Sequence, residues 1–109
     1  MAQEQSRAQQ LMGDIAPKLA ELTDEVLFGD VWARPGLSQR DRSLITVAAL
    51  TALARTDQLA SHMGRALDNG VTQEEITEVL LQVGLYAGVP TANRAFATAK
   101  KALAPETGH

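Results

Sequence analysis

The sequence predicts an all-α fold, a compact bundle of five to six helices, on three observations. Apolar residues recur at three- and four-residue spacing along most of the chain. Polar residues typical of helix N-caps precede these runs. No alternating strand pattern of useful length interrupts them. The 109 residues suit one domain, so we expect 1–109 to fold as a single unit.

The first two predicted helices lie on either side of Thr23. Apolar residues at helical spacing define the first helix, over 5–22. They are Leu11, Ile15, Leu19 and Leu22. Pro17 interrupts this pattern, so we expect that helix to be kinked or split. Thr23 is a suitable N-cap for a second, short helix over 23–32, which the Arg-Pro-Gly sequence at 34–36 ends.

The third predicted helix, 38–54, carries the least polar stretch of the chain. Ser38 and Asp41 resemble a capping box at its start, and the helix is apolar on nearly all sides after Leu44. A helix that is hydrophobic all round must be surrounded. It is therefore the central helix of a subunit, or a neighbouring subunit covers one face. We favour both together and expect a homo-oligomer.

Turn and capping signals separate the remaining helices. Thr56 or Asp57 caps the fourth helix, which ends at 68–70, where Gly70 suits the left-handed C′ position. We assign no chemistry to that helix stop.

Thr72 and Glu75 form the clearest capping box of the chain. The fifth helix therefore begins there, and it ends at 86–90. A last helix covers 90–103, and we expect the tail, 104–109, to fray.

Composition excludes several classes of function. The net charge is −3 and the ten Lys and Arg residues are scattered, which gives nucleic-acid binding little electrostatic support. The absence of cysteine excludes disulfides, thiol redox chemistry and Cys-ligated metals. The two histidines form no metal-ligand spacing with acidic residues. A polar N-terminus and short apolar runs predict a cytoplasmic protein without membrane contact.

The segment 32–62 gathers arginines, serines and a histidine around a nearly uncharged run, as a small anion-binding pocket requires. His62 is the candidate for proton transfer, because a neutral imidazole titrates near physiological pH. Arg42 is the candidate to bind a carboxylate through two hydrogen bonds. The Ser43 hydroxyl can donate to a substrate oxygen. The alternatives are a structural or surface histidine and a solvated arginine at a helix start.

Four further residues are candidates for substrate binding. Arg34 can be a second anion ligand or can bond to helix carbonyls. Trp32, the sole tryptophan, is otherwise a core or interface anchor. Tyr86 is alternatively a buried ring with a satisfied hydroxyl. Glu78 is predicted to face inward, where it can pair with an arginine in a structural role.

With these residues laid out, the chain resembles the carboxymuconolactone decarboxylase family, whose other large branch is the AhpD-like alkylhydroperoxidases. The resemblance covers about 10–103. The matching positions are 27–37, 40–44, 62, 66–72, 74–76, 78–79, 86–90 and 95. The family implies an all-α fold that assembles through its central helix pair, commonly into trimers or hexamers.

The two branches of the family differ in their chemistry. The glutamate of the peroxidase branch falls on Ser43, its two cysteines fall on Arg55 and Gln58, and its histidine falls on His62. Without thiols, peroxidase chemistry is not expected. The Trp-x-Arg-Pro-Gly-Leu motif at 32–37 and Arg-Ser-Leu at 42–44 resemble the decarboxylase branch instead.

The resemblance therefore implies cofactor-free decarboxylation of a small carboxylated lactone or related acid in aromatic-compound catabolism. Its substrate is a small anionic organic molecule, with His62 as the proton donor or shuttle. Two alternatives stay open. One is a peroxidase-related member of the family without thiol activity, and the other is a non-catalytic oligomeric module that binds a small acid.

Overall fold

The computed structural model describes residues 5–103 and confirms the predicted fold class. Every regular element among these residues is helical, and none is a strand. The described chain falls into two compact units, 5–37 and 38–103. The predicted fraying of the tail lies outside the described residues, and the single domain stays a prediction.

The first unit contains short helical segments. They are α1 (Arg7–Met12), α2 (Pro17–Glu21), a π-helix (Leu22–Phe28) and a 3₁₀ turn (Val31–Ala33). Pro17 occupies the first turn of α2, so the predicted first helix is split rather than kinked. The prediction of Thr23 as an N-cap is wrong, because its Oγ1 donates to the carbonyl of Leu19 at 2.8 Å inside a helical run that continues from α2.

The second unit is built from four longer helices. They are α3 (Gln39–Ala52), α4 (Thr56–Asp68), α5 (Gln73–Ala87) and α6 (Val89–Ala102). Each successive pair is joined by a short connection, and α3 also packs against α5 and α6. Nine buried residues form the core of this unit. They are Val47, Leu59, Met63, Ala66, Val71, Ile76, Leu80, Ala95 and Ala99.

Capping explains three of the helix ends in the second unit. The Ser38 side chain accepts from the backbone N–H of Asp41 at 3.0 Å, which is the Ser38 half of the predicted box. Thr72 and Glu75 form the complete, reciprocal box that the sequence predicts. The backbone of Gly70 has the expected positive φ, 96°. The predicted cap of α4 is wrong, because Arg55 occupies the N-cap position without a side-chain bond.

The helix α3 contacts each of the other three helices of its unit, as expected for a central helix. These neighbours do not cover all of its apolar side chains. Ile45 is 55% exposed and Leu53 is 62% exposed in the single chain. Cover by a second subunit therefore stays a prediction. Within residues 5–103 no helix combines the length and the apolar character needed to cross a bilayer.

Candidate functional site

Two of the predicted catalytic residues are consecutive on the first turns of α3, and the helix separates their environments. Ser43 is 2% exposed, and it is buried on the same face of α3 as Val47 and Thr51. Arg42 lies about 100° around the helix axis and is half-buried, with its Nε atom shielded from solvent. The inner edge of this guanidinium is therefore desolvated.

The third predicted catalytic residue, His62, lies on α4. Its side chain is half-buried and its Nδ1 atom is shielded from solvent, while the next residue, Met63, is fully buried. Since α3 packs against α4, Arg42 and His62 lie on neighbouring helices of the same unit. This placement is compatible with one site, and their shared function stays a prediction.

A half-buried hydrogen bond that the sequence does not predict joins these two helices. Asn69 Nδ2 donates to Ser43 Oγ at 2.9 Å, although the two residues are 26 positions apart. Asn69 is the C-cap of α4, which explains why its sequence signal was interpreted only as a helix stop. The available signal was its spacing, since Asn69 lies seven residues after His62 and two helical turns bring both to one face.

The prediction that Glu78 faces inward is wrong, because its side chain is exposed. Ile76 and Leu80 define the buried face of α5, and Glu78 lies about 160° away from each of them around the axis. It borders a shallow groove of about 320 Å³ between α3 and α5. The groove is lined by Leu44, Glu74, Glu75, Glu78 and Val79. Three carboxylates at its border oppose an anionic ligand there.

One of these three carboxylates, that of Glu75, already binds neighbouring residues. It completes the capping box with Thr72 and forms an ion pair with Arg40 of α3. The hydrogen bond from the Thr72 backbone, followed by that from the Arg40 side chain, lowers the pKa of the Glu75 carboxyl below its ordinary value. The ion pair therefore joins α3 to the start of α5 and leaves this carboxylate charged at neutral pH.

The remaining predicted substrate-binding residues have different environments. Tyr86 is 85% exposed near the end of α5, so the alternative of a buried ring is wrong. Arg34 and Trp32 belong to the first unit. Trp32 is buried and stacks on Phe28 with ring centroids 5.9 Å apart, whereas Arg34 is exposed at the end of the 3₁₀ turn. Substrate contact by any of these residues stays a prediction.

A metal centre has no support in the described part of the chain. Residues 5–103 contain no group of three or more His, Cys, Asp or Glu side chains that could hold a metal ion. A second cavity, of about 360 Å³, lies between α4 and α6 and contains none of the predicted site residues. Its lining is Thr56, Asp57, Ala60, Thr98, Lys101 and Ala102.

The sequence is similar to those of known proteins along most of its length. The model of the carboxymuconolactone decarboxylase family matches residues 17–101. The sequence is 37% identical to 4-carboxymuconolactone decarboxylase of Acinetobacter baylyi over 106 residues, covering 93% of this chain and 79% of that protein. It is 36% identical to nitrosuccinic acid decarboxylase of Metarhizium robertsii over 83 residues, covering 76% of this chain and 58% of that protein.

A third relative, an uncharacterized 15.0 kDa protein of Paracoccus denitrificans, is 33% identical over 98 residues. That match covers 87% of this chain and 72% of the relative. The resemblance inferred from the sequence motifs is therefore confirmed.

Proposed function

Because the chain belongs to the carboxymuconolactone decarboxylase family, we propose that it is a decarboxylase of a small carboxylic acid. The observation that carries this proposal is the 37% identity to a decarboxylase over 93% of the chain. A second relative that is also named a decarboxylase supports the same reaction class. A carboxylated lactone from aromatic-compound catabolism is the first substrate to test.

The substrates in the relatives' names share a chemical feature that narrows the class. In a carboxylated unsaturated lactone, the charge left by the departing carboxylate spreads into the conjugated carbonyl. In nitrosuccinic acid, the nitro group accepts that charge. We therefore propose a small acid whose leaving carboxyl group is attached to a carbon that adjoins, or is conjugated with, an electron-withdrawing group. Such a substrate carries its own electron sink.

The proposed reaction breaks one carbon–carbon bond and forms one carbon–hydrogen bond. The bond between the carboxylate and its carbon breaks, carbon dioxide leaves, and the electron pair moves into the lactone carbonyl or nitro group. Protonated His62 then donates a proton to carbon and regains one from solvent. Arg42 holds the carboxylate or lactone oxygens, and its partly desolvated position strengthens that interaction.

The other predicted site residues take supporting roles in this proposal. Ser43 lies next to Arg42, and its Oγ already accepts from Asn69. Tyr86, in the second unit, is proposed to bind the rest of the substrate, and binding by Arg34 and Trp32 stays a prediction from the sequence. Glu78 was predicted with them, but the carboxylates around it favour a position away from the anion. We also propose a homo-oligomer, a trimer or hexamer, in which a second copy covers the exposed apolar side chains of α3.

The test is release of carbon dioxide from a carboxylated muconolactone and from nitrosuccinic acid by the purified protein. His62→Ala should remove most turnover by lowering kcat, because proton transfer is lost. Ser61→Ala is its matched control, since Ser61 is the exposed neighbour on the same helix. Circular dichroism should show unchanged helicity in both variants.

Arg42→Gln should act mainly on KM, because it removes binding of the anion. A lost charged hydrogen bond costs about 1.5–3 kcal/mol, or roughly a ten- to hundredfold rise in KM. Arg94→Gln, on α6, controls for the loss of one positive charge. Normal turnover by His62→Ala would refute the assignment of the proton donor. Binding of the acids by the parent protein without any carbon dioxide release would favour the non-catalytic module.

A further inference from the structure

The two buried hydroxyl groups of α3 have different roles in the packing of the described chain. Thr51 is 1% exposed, and its Oγ1 donates to the carbonyl of Val47 at 2.7 Å, within the same helix. Ser43 is equally buried, but its Oγ accepts from Asn69 at the end of α4. Only the bond to Ser43 therefore carries information about how α3 lies against α4.

Such a bond constrains two packed helices more sharply than the apolar contacts around it. Apolar side chains tolerate small shifts between helices, because dispersion and burial are not directional. A hydrogen bond is directional, and this one is half-buried, because its acceptor Ser43 is buried while Asn69 is half-buried. Losing Asn69 leaves the buried Ser43 hydroxyl without this partner. The bond therefore favours a single rotation and translation of α3 on α4.

Backbone hydrogen bonds hold Asn69, the donor of this bond, in place at the end of α4. The Asn69 N–H donates to the carbonyls of Arg65 at 3.0 Å and Ala66 at 3.1 Å, and Gly70 then ends the helix with φ 96°. Asn69 follows His62 by two helical turns, and Ser43 directly follows Arg42 along α3. The bond thus connects the turn that carries Arg42 with the face of α4 that carries His62.

We infer that Asn69 is a positioning residue, which through Ser43 sets the placement of Arg42 relative to His62. The inference rests on the proposed function, because it assumes that these two side chains act on one substrate. Asn69 itself does not need to touch that substrate. Ser43 then acts through its buried acceptor oxygen rather than as a donor to substrate.

The test compares Asn69→Ala, Ser43→Ala and the double variant with a matched control, Thr51→Ala. The control removes the other buried hydroxyl of α3 without touching the bond between helices. Two readouts are needed: the ¹⁵N spectrum of the His62 imidazole, and kcat and KM for decarboxylation. Both are measured under conditions in which circular dichroism shows every variant to be fully folded. The signals of His109 are assigned from the spectrum of His62→Ala, in which His109 is the remaining histidine.

Asn69→Ala and Ser43→Ala should each shift the His62 imidazole signals and lower kcat about ten- to hundredfold, because a displacement of about 1 Å has effects of that size. The double variant should match the single variants, since all three lose the same bond. Thr51→Ala should leave the signals and kcat near those of the parent protein.

Unchanged His62 signals in Asn69→Ala, or equal shifts in Thr51→Ala, would overturn the inference. Unchanged kcat in an active parent background would also overturn it. If the parent protein releases no carbon dioxide, the proposed function fails, and the spectrum alone then decides whether Asn69 sets the environment of His62.

Discussion

The crossing of α5 and α6 predicts that two helical glycines respond in opposite ways to the same substitution. A Cβ atom on Gly84 would lie 2.6 Å from Ala92 Cβ and 3.6 Å from Ala92 Cα. Carbon atoms in favourable contact are about 3.5–4.0 Å apart, so the new methyl group is about 1 Å too close. A Cβ atom on Gly64, in the exposed part of α4, would meet nothing within 4 Å.

Both substitutions gain the same intrinsic helix propensity, which favours alanine over glycine by about 0.8–1.0 kcal/mol. Gly64→Ala should therefore stabilise the protein by up to about 1 kcal/mol. Gly84→Ala must also separate α5 from α6, and overpacking of this kind costs about 1–3 kcal/mol. The difference between the two variants isolates the packing effect, because the propensity contribution cancels.

The assay is thermal and urea unfolding of both variants at one fixed protein concentration, so that any association contributes equally. Each kcal/mol of difference should lower the Tm of Gly84→Ala by about 4–8 °C relative to Gly64→Ala. Adding Ala92→Gly to Gly84→Ala moves the methyl group from one helix to the other and should restore most of the lost stability. Equal stability of the two single variants would refute the close crossing of these helices.

Three further predictions concern charge, redox chemistry and assembly. The free energy of unfolding should fall as pH falls below about 4.3, the ordinary pKa of a Glu carboxyl group. The reason is that the pKa of Glu75 is lowered in the folded state, so its stabilising effect is lost on protonation. Urea unfolding between pH 6 and 3 should show a smaller loss of stability for Glu75→Gln than for the parent protein. No dithiol-dependent peroxide consumption should occur, because Arg55 and Gln58 replace the thiols, and a coupled peroxide assay checks this. Light scattering at micromolar concentration should show an oligomer; an 11.7 kDa monomer alone would contradict the predicted cover of α3.

The parts of the fold that the sequence predicted are those with local causes. The reciprocal bonds between Thr72 and Glu75 involve residues three apart, and the left-handed backbone at Gly70 needs only the absence of a Cβ atom. Ser38 satisfies an N–H group within its own helix in the same way. Such features are visible in a few consecutive residues, and the structure confirms each bond named here.

The errors arise where distant residues or alternative helical geometries decide the result. The π-helix Leu22–Phe28 has a wider hydrogen-bond spacing than an α-helix, and the α-helical capping pattern at Thr23 therefore does not mark a helix start. Ala54 has a positive φ, 58°, although it is neither Gly nor Asn. Nothing in its local sequence indicates that conformation.

In the candidate site, too, the sequence predicts what depends on local residues and not what depends on distant ones. The sequence identified Arg42, Ser43 and His62 as residues of suitable chemistry on two helices, and the structure shows that those helices are packed neighbours. The spacing of Asn69 from His62 places both on one face of α4, but the sequence does not show its bond to Ser43, because that partner lies 26 residues away. The sequence misplaced Glu78, because its orientation depends on which face of α5 the other helices cover.

The short connections of the second unit also bear on how quickly it folds. Leu53–Ala54–Arg55 joins α3 to α4, and Gly88 alone separates α5 from α6. About half of the helix packing in this unit is between helices adjacent in sequence, and proteins rich in local contacts fold in microseconds to milliseconds. Docking one hairpin on the other through α3 and α5 needs longer loop closure. Association of subunits is slower still and depends on concentration. In refolding experiments we expect the recovery of helicity to be independent of protein concentration and any association to follow as a separate, concentration-dependent phase.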